Sequence, residues 1–134
     1  MKILKRRKGS EKITIREMII VYKTNVDYDM DKNNWDSRTE PDGRIFPPED
    51  AETVAYYRDD VYNNFSSCSD ADKMMLKEID EILLNDLDTA CKMFRYSHLD
   101  KNQPKEKWWY HLPESRDGEL KVFWDEEKKV YTAG

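Results

Sequence analysis

Glycine and proline are scarce in this 134-residue chain, at 4 and 5 copies, and no low-complexity tract interrupts it. That excludes a collagen-like, linker-like or wholly disordered chain, each of which needs a composition rich in backbone punctuation or polar repeats. Long apolar runs are missing too. The longest, around Met18–Tyr22, falls far short of the roughly 18 residues that a membrane span needs. The opening MKILKRRKGSEK has a positive cluster with no apolar segment behind it, so no secretory leader and no membrane association is expected. Cysteine is limited to Cys68 and Cys91, and histidine to His98 and His111. Neither pair has metal-ligand spacing, and there is no C-x-x-C, G-x-S-x-G or P-loop. No zinc site, no cofactor and no catalytic centre is therefore expected. If one continuous helix carries both cysteines, they stand roughly 35 Å apart, beyond disulfide reach. Two free thiols suit a reducing, cytoplasmic setting.

Charge, by contrast, is abundant: 38% of residues are Asp, Glu, Lys or Arg, equal to the hydrophobic fraction, with a net charge of -5. Its distribution is uneven. Of 23 basic and 28 acidic residues, six and one fall in positions 1–12, a +5 arm. The remaining 17 basic and 27 acidic residues give a -10 body. The length suits one domain with a sizeable core. The expected organisation is a basic arm, 1–12, followed by a single domain, 13–134.

Thr14-Ile15-Arg16-Glu17 has capping-box spacing. Ile15, Met18, Ile19 and Tyr22 recur at i, i+3, i+4, i+7, which predicts a helix over 15–24, with a strand as the competing reading of the β-branched residues. Periodicity vanishes over 24–48, predicting a long irregular loop. Asp27–Asn33 opens like a calcium loop, but Lys32 stands where the turn needs Gly and Arg38 where the site needs Glu. Pro48, Glu49 and Asp50 suit a helix start, and Ala51, Val54, Tyr57, Val61 and Phe65 form its stripe. Ser69 then caps a longer helix with Leu76, Ile79, Leu83, Leu87, Ala90 and Phe94 on one side, closing near Arg95 and His98. These two helices are expected to pack as a hairpin.

After Pro104 the period changes to two. Trp108–Leu112, Leu120–Trp124 and Val130–Thr132 read as three strands, with turns at Ser115–Gly118 and Asp125–Lys128. The expected fold class is α+β: a helical hairpin and a shorter N-terminal helix packed on a C-terminal three-stranded antiparallel meander. If Trp108, Tyr110, Leu112, Leu120, Val122 and Trp124 face the helices, the opposite face presents Trp109, His111, Lys121, Phe123 and Tyr131. Aromatics with polar tips favour interfaces, so those five are the expected partner-binding residues, unless the first helix or Trp35 covers them.

The function expected is a non-catalytic protein-interaction module or an acidic inhibitor-type protein, with an unidentified protein partner or a second copy of itself. Two alternatives belong to other classes. The order helical hairpin then β-hairpin resembles a winged helix, which would bind nucleic acid through Lys5, Arg6, Arg7 and Lys8. Its reading helix would, however, expose Glu78, Glu81 and Asp88 to phosphates. Glu119-Leu120-Lys121 resembles the Glu-x-Lys element of metal-dependent nucleases, with Asp100 or Asp117 as the second carboxylate.

Overall fold

Thr14 starts the first helix as its spacing implies. Its hydroxyl accepts the Glu17 amide at 3.1 Å while the Glu17 carboxylate accepts the Thr14 amide at 3.2 Å. In the computed structural model, which describes residues 13–39, 45–46, 53–93, 100 and 102–134, this helix (α1) runs Ile15–Asp29. The strand alternative for this segment is not what forms. Ile19, Tyr22, Asn25, Val26 and Asp29 make its buried face. The basic residues Lys5, Arg6, Arg7 and Lys8 lie outside the described residues, as do Pro48–Ala51 and Phe94–Leu99 with His98.

The expected loop at 24–48 contains structure. Beyond the last turns of α1 come a 3-10 turn, Lys32–Asn34, and strands β1 (Asp36–Thr39) and β2 (Ile45–Phe46), which pair antiparallel with an irregular register. Asp31 caps the 3-10 turn through the Asn33 amide at 3.0 Å. Trp35 is drawn into the core, its indole N–H donating to the Asp29 carbonyl at 2.7 Å. Turn-forming Asp and Asn residues had hidden these short elements from a periodicity reading.

Helix α2 spans Thr53–Asn63 and helix α3 spans Asp70–Leu84. Ser69 caps α3 in a box with Asp72, and Leu76, Ile79, Asp80 and Leu83 are buried along it. The expected stripe continues in register past Leu83, but the helix stops at Asn85-Asp86 and restarts as α4, Leu87–Met93. Asp86 caps the restart by accepting the Thr89 amide at 3.2 Å. Two residues that prefer caps to helix interiors outweigh the apolar register here. The pairing of helices also differs from a simple α2–α3 hairpin. Helix α1 packs against both α2 and α3, and α2 reaches α3 through the long side chain of Arg58.

The segment Trp108–Leu112 is not a strand. Trp108–Tyr110 form a 3-10 turn and Leu112–Arg116 a short helix, α5, with Pro113 in its first turn. All five residues from Trp108 to Leu112 are buried, which a period-two strand with one outward face cannot achieve. Among the described residues the C-terminal sheet therefore has two strands, β3 (Val122–Asp125) and β4 (Val130–Ala133). The expected turn between them forms on Asp125, whose carboxylate accepts the Glu127 and Lys128 amides at 3.0 and 2.9 Å. The broad α+β class stands, with most of the described residues helical. No described helix is long and apolar enough to cross a membrane.

Candidate functional site

Charged residues occupy core phases on two helices. In α2, Arg58 follows Val54 by four and precedes Val61 by three; in α3, Asp80 follows Leu76 by four and precedes Leu83 by three. Both are therefore carried to the centre by the same periodicity that buries their apolar neighbours. There they meet. Arg58 Nε and Nη2 donate to Asp80 Oδ1 and Oδ2 at 3.0 and 3.1 Å, and the Tyr22 hydroxyl of α1 donates to Oδ1 at 2.8 Å. Arg58 is 1% exposed and Asp80 fully enclosed. One carboxylate thus joins three helices.

Burial pushes the Asp80 carboxyl up, opposed by the Arg58 guanidinium and the Tyr22 hydroxyl. Burial would also loosen the Arg58 proton, yet Asp80 outweighs it and holds the guanidinium above its ordinary value. Tyr22 is pushed well up, first by burial and then by Asp80. The geometry is that of an ion pair with a phenol donating to its carboxylate.

The neighbouring residue of α2, Asp59, organises the other side. It accepts the Trp109 indole N–H at 2.9 Å and the Tyr110 hydroxyl, and Lys107 Nζ stands 3.7 Å away. Burial and then Asp59 drive the Tyr110 hydroxyl far above its usual range. Trp109 is thereby held with its ring 4.3 Å from the Arg58 guanidinium carbon, a cation–π contact made stronger by desolvation. Trp108 packs edge-on to Trp109 at 5.5 Å and donates to the Tyr131 carbonyl of β4 at 3.1 Å.

The C-terminal hairpin docks through one face. Trp124 and Tyr131 are paired across the strands and meet edge-on at 5.2 Å. Lys77 of α3 lies 5.4 Å from the Trp124 ring, and Tyr131 donates to Glu81 at 2.7 Å. Burial first, and that bond second, push Tyr131 up to about 12. Val130, Tyr131 and Thr132, successive residues of β4, close a cavity of about 320 Å³ with Arg58, Tyr62, Phe65, Glu106, Trp109 and Lys128. Arg58 is part of its lining, and the third nitrogen of that guanidinium, Nη1, is enclosed without a hydrogen-bond partner. Because Asp80 engages the Nε–Nη2 edge, Nη1 is the part of the planar fork left over. Tyr62, raised by burial and by the neighbouring Glu106, stands in the wall.

The five residues expected to share an outward strand face are distributed differently. Trp109 and His111 are buried, at 1% and 2% exposure. His111 donates from Nε2 to the Gln103 carbonyl at 2.8 Å and sets Nδ1 3.1 Å from Glu114. Tyr131 is half-buried against α3, Lys121 is exposed ahead of β3, and Phe123 is 42% exposed on the strand. Phe123 is paired directly with Thr132 of the cavity lining. Trp109 and Tyr131 line the cavity from within. The nuclease-like arrangement is not assembled on a strand: Glu119 and Lys121 precede β3, and Asp117 pairs with Arg116 at 3.1 Å. Among the described residues no group of three or more His, Cys, Asp or Glu is placed to hold a metal. Cys68 and Cys91 are free, and burial raises both thiols.

Sequence reasoning missed Arg58, Asp59, Asp80 and Tyr22. The signal available was phase: a charge set at i+4 and i−3 from apolar stripe residues on each of two helices. Compared with known proteins, the chain matches no family model, no curated protein and no solved structure.

Proposed function

We propose that this protein is a non-catalytic protein-binding module that receives an apolar side chain of its partner in the cavity between the end of α2 and strand β4 of the C-terminal hairpin. The observation that carries the reading is the composition of that cavity: walls of Tyr62, Phe65, Trp109, Val130 and Tyr131 around one enclosed guanidinium. Mostly apolar walls with few polar groups are what a recognition pocket needs, since area supplies affinity and the polar group supplies selectivity. Phe123, exposed on the same hairpin face as Thr132, supplies a rim contact.

Selection of a displayed random-peptide library on the folded protein tests this. The expected result is a family of peptides whose binding falls at least tenfold with Val130→Phe, which fills the cavity, and with Phe123→Ala, which removes the rim, while thermal stability stays within a few degrees. Peptides indifferent to both changes, or no specific peptide, would overturn it. Light scattering at high protein concentration reads whether the partner is a second copy.

A further inference from the structure

We infer that the group admitted to this cavity is an uncharged phenol, the side chain of a partner's tyrosine, whose hydroxyl oxygen accepts from Arg58 Nη1. The inference deepens the binding reading above and rests on it. Three features converge. First, an enclosed guanidinium N–H without an acceptor is costly to leave unmade, so a ligand oxygen that reaches it recovers more than a surface hydrogen bond would. Arg58 is 1% exposed, and Nη1 is unpartnered while Nε and Nη2 are both used.

Second, the charges at the site already balance. Arg58 pairs with Asp80, and Asp59 stands 3.7 Å from Lys107. Glu106 and Lys128, both exposed at the lining, are likewise one of each sign. An anion entering here would lose its hydration beside a guanidinium already neutralised by Asp80. A neutral acceptor gives up far less water and completes the same bond.

Third, the walls are aromatic. Trp109 and Tyr62 lie 5.8 Å apart with rings tilted by 60°, and Phe65 and Tyr131 extend the lining. A flat ring entering among them gains edge and offset contacts beyond its buried area. A tyrosine carries both requirements on a side chain with two rotatable angles, so little entropy is lost when it is held. Nη1 lies beneath the surface, so entry includes a small displacement of the lining.

Three probes of one shape separate the possibilities: p-cresol, toluene and 4-methylbenzoate, each titrated into the whole protein near pH 7 and followed by NMR at the Trp109 indole N–H and the Arg58 guanidinium N–H. The expected result is a Kd for p-cresol at least tenfold below those of the other two, with both resonances shifting and with the response lost in Val130→Phe. Arg58→Lys, where it folds, should erase the preference for p-cresol over toluene; where it does not, the wild-type guanidinium shift decides. Equal binding of p-cresol and toluene would show that the oxygen is not read. A preference for 4-methylbenzoate would show an anion site, and failure of all three to bind would remove the phenol altogether. Each of these overturns the inference. If Val130→Phe still weakens library-selected peptides in those cases, docking at the cavity survives without the tyrosine; if it does not, both readings fall.

Discussion

At the starts of α1 and α3 the capping bonds each span three residues, between Thr14 and Glu17 and between Ser69 and Asp72. The bonds that close the buried centre span 22 residues from Arg58 to Asp80, 50 from Asp59 to Trp109, 51 from Asp59 to Tyr110 and 58 from Tyr22 to Asp80. Both regions use carboxylates to satisfy donors, but under opposite conditions. A cap satisfies amides that any helix start leaves open, at a partly exposed place, and contributes locally. The central carboxylates meet their donors only once α1, α2, α3 and the Trp108–Tyr110 turn are assembled, and removing one partner leaves the rest enclosed and unmatched. The difference teaches where this molecule stores its dependence on a single arrangement.

The largest effect that would sharpen the contrast is at Arg58. Arg58→Ala leaves Asp80 and Tyr22 buried without their counter-ion and should lower the unfolding free energy by roughly 3–5 kcal/mol in a urea titration, enough to unfold a domain of this size in part. The double change Arg58→Met with Asp80→Leu, which removes both charges together, should cost much less than the single one. A loss below about 1 kcal/mol for Arg58→Ala would break the comparison, because the centre would then depend on its ion pair no more than a surface would. Next comes Asp59→Ala. It strands the Trp109 N–H and the Tyr110 hydroxyl, for an expected loss of about 2 kcal/mol and a shift of the Trp109 indole resonance. An unchanged resonance would mean the turn is held by packing alone.

The smallest effect belongs to the caps. The Ser69 amide, and after it Arg16, hold the Asp72 carboxyl below its ordinary value. A carboxylate whose folded pKa is depressed contributes stability that is complete above the unfolded value, about 4, and is lost as pH falls through the lower folded one. Asp72→Asn should therefore cost about 1 kcal/mol at neutral pH, and the gap between variant and wild type should narrow steadily as the pH is brought below about 4. A gap that stays constant down to pH 2 would show that the cap acts through shape and not charge.

Much of the architecture was legible in short-range chemistry. Thr14 with Glu17, and Ser69 as a cap, announced two helix starts, and Asp125–Lys128 announced the last turn, because each depends on atoms within a few residues. Other features were misread for identifiable reasons. The stripe through Leu83, Leu87 and Ala90 concealed the break at Asn85-Asp86, since apolar register is kept across it. Trp108–Leu112 imitated a strand because aromatic residues favour strands, while its real requirement, burial of five consecutive side chains, comes from what surrounds it. Of the residues expected to bind a partner, Phe123 stands exposed and paired with Thr132 of the cavity lining, whereas Trp109 and His111 are enclosed.

The amino-acid order determined the helix starts, the hairpin turn and the apolar faces, because caps, turns and periodicity act over one or two turns of chain. It also set Arg58 and Asp80 in core phase. What their charges would meet depended on elements brought together from 22 to 58 positions away. That Arg58 binds Asp80 with two of its nitrogens and also lines an aromatic cavity is a matter of how α1, α2, α3, the tryptophan turn and the hairpin pack. A buried charge takes its meaning from the groups that replace its water, and those were supplied by the assembled fold.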